Sequence, residues 1–478
     1  MCALGYAIIG LALLLIVQTK DVFPQLVLAR LLFSVGGAAN STMVTAILPS
    51  MIAQRDDEEE HYRNTTHSNT DIHDIAQSIS SELTITPYRL QPKTSSQEPP
   101  TSESPTRLAG IVGLFTGCGA LLALGLFLRL PELFQRTGIP AGSALADSYY
   151  LMGLLSLVLS LVCFLGLRHL KGEEGKNWRA LVHGRTGDHS TDSRETVSSF
   201  RSLFESTTLG FRNPLLGLSY LGGFVARGSS VGISLFIPLY VNAYYISSGL
   251  CDETGHNPQE IKENCRQAYV LAAELTGLSQ LAALIFAPIF GYLADRYRRY
   301  NFPLLLAALL GVLGYVGLAT LKSPTARGEE GSPWIFVIMV FLGISQIGAI
   351  VCSLGLLGRC VLGIEKGNNL QHAEIIQGAT RPGRDDTHNN QNQENTEEST
   401  EDAPLLLVKP RSRAYLKGSI AGVYSLAGGV GILILTKTGG LMFDSVALVA
   451  PFYMLALFNL ILLVIATILG IYDACRGT

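Results

Sequence analysis

GYLADRYRR, residues 291–299, closes one apolar run and stands just ahead of the next, which starts at Phe302. Gly291 has no side chain, so a second helix can approach closely there. Asp295 suits a capping or pairing role at a helix end. Arg296 and Arg299 offer cationic partners for it. Arginines clustered just outside an apolar run also mark the side of a membrane that faces the cytosol. Read this way, the stretch is a short, charged turn joining two membrane helices.

The rest of the chain supports that reading. Its 478 residues are 48% hydrophobic and only 15% charged, and the mean hydropathy is positive. Residues 54–107, 169–213 and 359–413 hold 44 of the 73 charged side chains. The remainder falls into ten apolar segments, near 2–18, 25–50, 108–128, 149–168, 214–240, 269–293, 302–321, 334–356, 415–436 and 447–471. A soluble enzyme would spread its charge over packed domains instead. In hydrocarbon an unpaired backbone amide costs several kcal/mol, so these segments must be helices. Segment 2–18 lacks a basic start and a cleavage site, and reads as a membrane helix rather than a signal peptide. A net charge of −3 leaves no footprint for nucleic acid. There is no nucleophile elbow, phosphate-binding glycine loop or zinc-protease motif, so neither an enzyme nor a bound cofactor or metal is expected.

Lysine and arginine orient the chain. With a cytosolic N-terminus, 25 basic residues fall on the cytosolic side and eight on the other. Both termini and all three polar inserts are then cytosolic. The inserts are too poor in apolar residues to offset the entropy of ordering and read as disordered. Segment 195–209 is the exception, with Phe200, Leu203 and Phe204 at helical spacing. It is either a short helix on the membrane surface or a loop with a few apolar residues.

The GYLADRYRR stretch resembles the cytosolic loop motif of the major facilitator superfamily, with Arg298 where that motif has its second glycine. Two further stretches resemble the drug/proton antiporters of the same superfamily. LVLARLLFSVGGAA, residues 26–39, is similar to their fourth-helix motif and sets Arg30 at its arginine. Gly110, Gly113, Gly117 and Gly119 resemble their glycine-rich fifth helix, with Cys118 at its proline position; Gly422, Gly428, Gly429 and Gly431 form a similar run. The resemblance implies an all-α membrane protein, two six-helix halves related by an internal repeat. The ten spans would be family helices three to twelve, with helices one and two missing, as from an incomplete gene model. The expected organisation is an incomplete N-terminal half over 1–168, a central loop over 169–213, and a C-terminal half over 214–478. Inserts 54–107 and 359–413 then fill equivalent connections in the two halves. Fungal vacuolar facilitators with long cytosolic inserts are a narrower resemblance.

Charges inside spans are the candidates for mechanism, because an intramembrane charge is costly without a partner or water. Arg30 either pairs inside the protein or snorkels to the surface. Arg227 lies mid-span. Tyr220, Arg227 and Ser234 recur every seven residues along one span, and Glu274 is the acidic residue deepest in a span. Glu274 is the candidate proton carrier, with Arg227 as a possible partner, or else a carboxylate near a helix start. Cys251 and Cys265 share one outer loop and form either a disulfide or two free thiols. His61, His67 and His73 hint only weakly at metal. Glu401, Leu405 and Leu406 fit an acidic dileucine sorting signal of the kind adaptors read on vacuolar membranes. Asn64 heads a glycosylation sequon but would face the cytosol and stay bare. The expected function is secondary transport of a small organic solute by alternating access, coupled to protons, as export or vacuolar sequestration. The expected partners are membrane lipid, the solute, protons and a sorting adaptor; the vacuolar membrane is favoured over the plasma membrane. The alternative is a non-transporting sensor or scaffold that works through its cytosolic loops.

Overall fold

The computed structural model describes residues 2–45, 105–127, 129–166, 199–249, 266–297, 301–326, 331–379 and 416–476. Every regular element among them is helical. In chain order these are α1 (Cys2–Gln18), α2 (Val22–Thr45), α3 (Pro105–Leu122), α4 (Leu130–Arg136) and α5 (Ala141–Gly166). Next come α6 (Ser199–Arg212), α7 (Pro214–Ser247), α8 (Arg266–Arg296) and α9 (Phe302–Thr320). The last three are α10 (Trp334–Ala379), α11 (Leu416–Ile434, continuing to Ser445) and α12 (Ala450–Arg476). Among the described residues nine helices are long and apolar enough to cross a membrane; α1, also apolar, is shorter. With α1 these match the ten apolar segments one for one. The described ends of α2, α5 and α10 and the starts of α3, α7 and α11 lie at one end of the bundle, called here the insert face.

Several boundaries move from their sequence positions for local reasons. Asn213 separates α6 from α7: its side-chain oxygen accepts from the backbone N–H of Leu215 (3.1 Å) and Leu216 (3.4 Å). That cap and Pro214 behind it start a new helix at a corner. Within α7 a π turn spans Gly232–Phe236, just ahead of Pro238. Proline has no N–H and its ring crowds the carbonyl four residues back, which a locally wider turn relieves. α10 runs on to Ala379, well into the insert expected to be disordered from residue 359. No proline stands between Trp334 and Pro382, and adding turns to an existing helix avoids the cost of nucleation. Segment 195–209 is helical from Ser199 onward. Residues 54–104, 169–198 and 380–413, with them the three histidines, Asn64 and the dileucine signal, and also the cysteine pair, Arg298 and Arg299, lie outside the described residues.

Packing between spans relies on close contact, since lipid tails are as apolar as the side chains they would replace. α8 lies against α3 and α10, α9 against α10 and α12, and α7 against α10, α11 and α12. α1 packs on α5, and Gly36 of α2 sits against Gly5 and Ile9 of α1. One apolar cluster, including Leu216, Ala287, Phe290, Leu304 and Val351, fills the insert-face half. A second, including Ile233, Phe236, Tyr315, Phe452 and Leu455, fills the opposite half. Between them lie the buried polar side chains Ser229, Ser279, Gln280, Ser345, Gln346 and Asn459, with Phe458 packed against both clusters.

Candidate functional site

Small side chains let α7 and α11 come together. Gly223 lies under the ring of Tyr424, and Gly428 under the stem of Arg227. Arg227 is thereby held mid-helix with its guanidinium exposed rather than packed in the core. Its Nη2 donates to the hydroxyl of Ser41 at 3.0 Å, a contact between α7 and α2. One turn beyond, the Ser230 hydroxyl accepts from the Gln346 amide of α10 at 3.0 Å. The Gln346 carbonyl oxygen in turn accepts from the Gln280 amide of α8 at 3.4 Å. On the other flank of α7, Tyr424 of α11 and Ser353 of α10 share a buried hydroxyl–hydroxyl bond of 2.8 Å. Four helices thus aim polar groups at the level of Arg227. The arrangement suits hydrogen bonding to a solute at mid-membrane, with one fixed cation to set the sign of the partner.

The sequence candidates are distributed unevenly around this centre. Tyr220 turns away from it: its hydroxyl donates to the Ser206 carbonyl of α6 (3.4 Å), and its ring covers Gly210. Ser234 lies inside the π turn that begins at Gly232, so the seven-residue spacing from Arg227 does not run along one regular face. Ser234 is exposed and bonds back to the Ser230 carbonyl at 2.8 Å. Glu274 is exposed on α8, and among the described residues no ion pair joins it to Arg227. Arg30 is exposed on α2, and the Ser34 hydroxyl bonds to its carbonyl at 2.9 Å. Gln280, Gln346, Ser353 and Tyr424 are the additions. The readable signal was an amide deep in a span, which only Gln280 and Gln346 show among the glutamines of the C-terminal spans.

A second cluster lies at the insert face, where α3 crosses α8. A Cβ on Gly110 would stand 2.9 Å from the Cα of Gly291, and one on Gly117 3.0 Å from the Cα of Leu284. Gly113, between them, meets Ala287 of α8 and Val351 of α10. Just outside this crossing, Nε of Arg107 pairs with Oδ2 of Asp295 at 3.1 Å. This gives Asp295 a partner on α3, far from it in sequence; the expected partner Arg299 lies outside the described residues. Arg296 is its immediate neighbour on the helix, and adjacent helical positions do not face each other; Arg296 points outward, exposed.

A family model described as Major Facilitator Superfamily matches residues 100–361, just over half of the chain. The chain belongs to the major facilitator superfamily. The matched region holds the crossing of α3 and α8, the Arg107–Asp295 pair and three of the polar centre's four helices. As a facilitator the protein is a secondary transporter and a multi-pass membrane protein. No curated protein matches the chain.

Proposed function

We propose that this facilitator moves a small organic solute by alternating access, coupled to protons, and that it exports the solute or sequesters it in a vacuole. The carrying observation is Arg227, mid-span and exposed, reaching Ser41 of α2. A guanidinium at that depth is costly against lipid, so it belongs to a polar, water-accessible space between the halves. There it can exchange Ser41 for an acceptor oxygen of the solute. Gln280, Gln346, Ser230 and Tyr424 supply the uncharged contacts, and Glu274 carries the proton. The crossing of α3 on α8, with the Arg107–Asp295 pair, holds the insert face closed in one state and separates as the halves rock. Both termini and the inserts face the cytosol, where the Glu401, Leu405 and Leu406 signal is accessible to an adaptor.

The test is flux into sealed vesicles containing the purified chain, with an imposed proton gradient and a panel of small organic solutes. At least one solute should move faster than in protein-free vesicles. Arg227→Ala should lose that flux while the protein remains inserted and folded. Full transport by Arg227→Ala would remove the residue from the mechanism; protein-free rates across the panel would remove the function.

A further inference from the structure

α6 presents three faces to three different surroundings. On the first, its side chains are small and bonded to protein. The Ser419 hydroxyl of α11 donates to Ser202 at 3.0 Å, Ser206 is buried beside Tyr220, and Gly210 lies under the Tyr220 ring. On the second, Phe204 is 74% exposed and Phe211 88% exposed. Those two phenylalanines are seven positions apart, hence within about 20° of each other around the helix. Their exposure lies in the upper part of the range for apolar side chains on the spans, where Phe164 stands at 60%, Phe115 at 69% and Phe23 at 80%. On the third, Arg201, Glu205 and Arg212 are exposed within an arc of about 40°.

Depth identifies what meets the phenylalanine face. α7 has 34 residues, so its length is about 51 Å, against about 30 Å for the hydrocarbon core. With Arg227 at mid-membrane, as the proposed function has it, Pro214 lies about 20 Å from the midplane, and the first turns reach the headgroup layer. α6 is fastened to those turns, with Gly210 against Gly217 and Tyr220, and Ser206 bonded to Tyr220. Side chains leaving α6 away from the protein at that depth meet either the acyl boundary or the headgroups. Water alone would leave two phenylalanine rings uncovered. A protein partner would not explain why arginines border the apolar face on its solvent side, where lipid phosphates lie.

We propose that α6 is a membrane-surface anchor. Phe204 and Phe211 insert at the boundary between headgroups and acyl chains, and Arg201 and Arg212 hold lipid phosphates. Because α6 is bonded to both α7 and α11, it ties the lipid surface to two helices of the polar centre. The anchor does not depend on which solute moves, or on whether one does.

Nitroxide labels placed singly at 204, 205 and 211, in the full chain with its native cysteines replaced, read this directly. The protein would be reconstituted in equal parts phosphatidylcholine and phosphatidylserine. Collision rates with oxygen and with a water-soluble nickel chelate would then be compared. Labels replacing Phe204 and Phe211 should favour oxygen several-fold, and the label replacing Glu205 should favour nickel. Nickel preference at all three positions would mean that the helix stands in water. Protection of 204 and 211 from both reagents would mean that protein covers them. Either result overturns the anchor.

Discussion

Arg227 and Asp295 were both legible in the sequence, and for the same reason: a charge in or beside an apolar run must find a partner. The partners were not legible. Ser41 and Arg107 lie 186 and 188 positions away along the chain, and spacing carries no information over such distances. The polar centre was half legible. Arg227 announced itself by its charge, whereas Gln280 and Gln346 are uncharged amides whose cost in a span is smaller and whose signal is correspondingly weaker. Tyr220 stands two turns before Arg227 on a regular stretch of α7, at a level where Gly210 and the Ser206 carbonyl of α6 engage its ring and hydroxyl, a tertiary contact that spacing does not reveal. Glu274 remains the proton carrier of the proposal. Glu274→Gln keeps the shape and removes the titratable group, so it should leave solute exchange intact and abolish accumulation driven by a pH gradient. Counterflow and gradient-driven uptake, measured side by side, separate the two. Undiminished gradient-driven uptake would exclude Glu274 from coupling.

At the scale of elements, glycine-rich runs were the most useful signal after the apolar runs. Gly110, Gly113 and Gly117 of α3 fall one turn apart and all meet α8 or α10, and Gly428 and Gly431 do the same for α11 on α7. Helix ends were less legible, because caps, π turns and the continuation of α10 depend on a few local groups rather than on hydropathy. The α3–α8 crossing allows a weighing of effects. Arg107 is about half exposed, and an ion pair with that much water contributes about 1 kcal/mol or less. Asp295→Asn should therefore slow transport several-fold without abolishing it. Gly110→Val places three carbons where the Gly291 backbone now lies, and overpacking of this kind costs about 1–3 kcal/mol. It should hold the insert face open and reduce transport more than Asp295→Asn does. Thiol labelling of a cysteine at Thr106, buried in the closed crossing, reports the opening: faster labelling is expected in Gly110→Val. Unchanged labelling would show that the crossing tolerates the side chain.

For the whole molecule, an all-α membrane fold was written plainly in the ten apolar runs, and the superfamily in GYLADRYRR. The architecture turns both into one device. α3 is held against α8 and α10 at the insert face, while α7 carries Arg227 at the centre and touches α2. If the halves alternate, the Arg107–Asp295 contact must break once in every cycle. This can be tested in a protein with its native cysteines replaced, carrying Arg107→Cys and Asp295→Cys, reconstituted in sealed vesicles with a transported solute. A short, reducible thiol crosslinker joins the two positions, and flux is measured before crosslinking, after it, and after reduction. The account predicts that flux falls to the protein-free rate on crosslinking and returns on reduction. Flux that continues unchanged through a completed crosslink would contradict it.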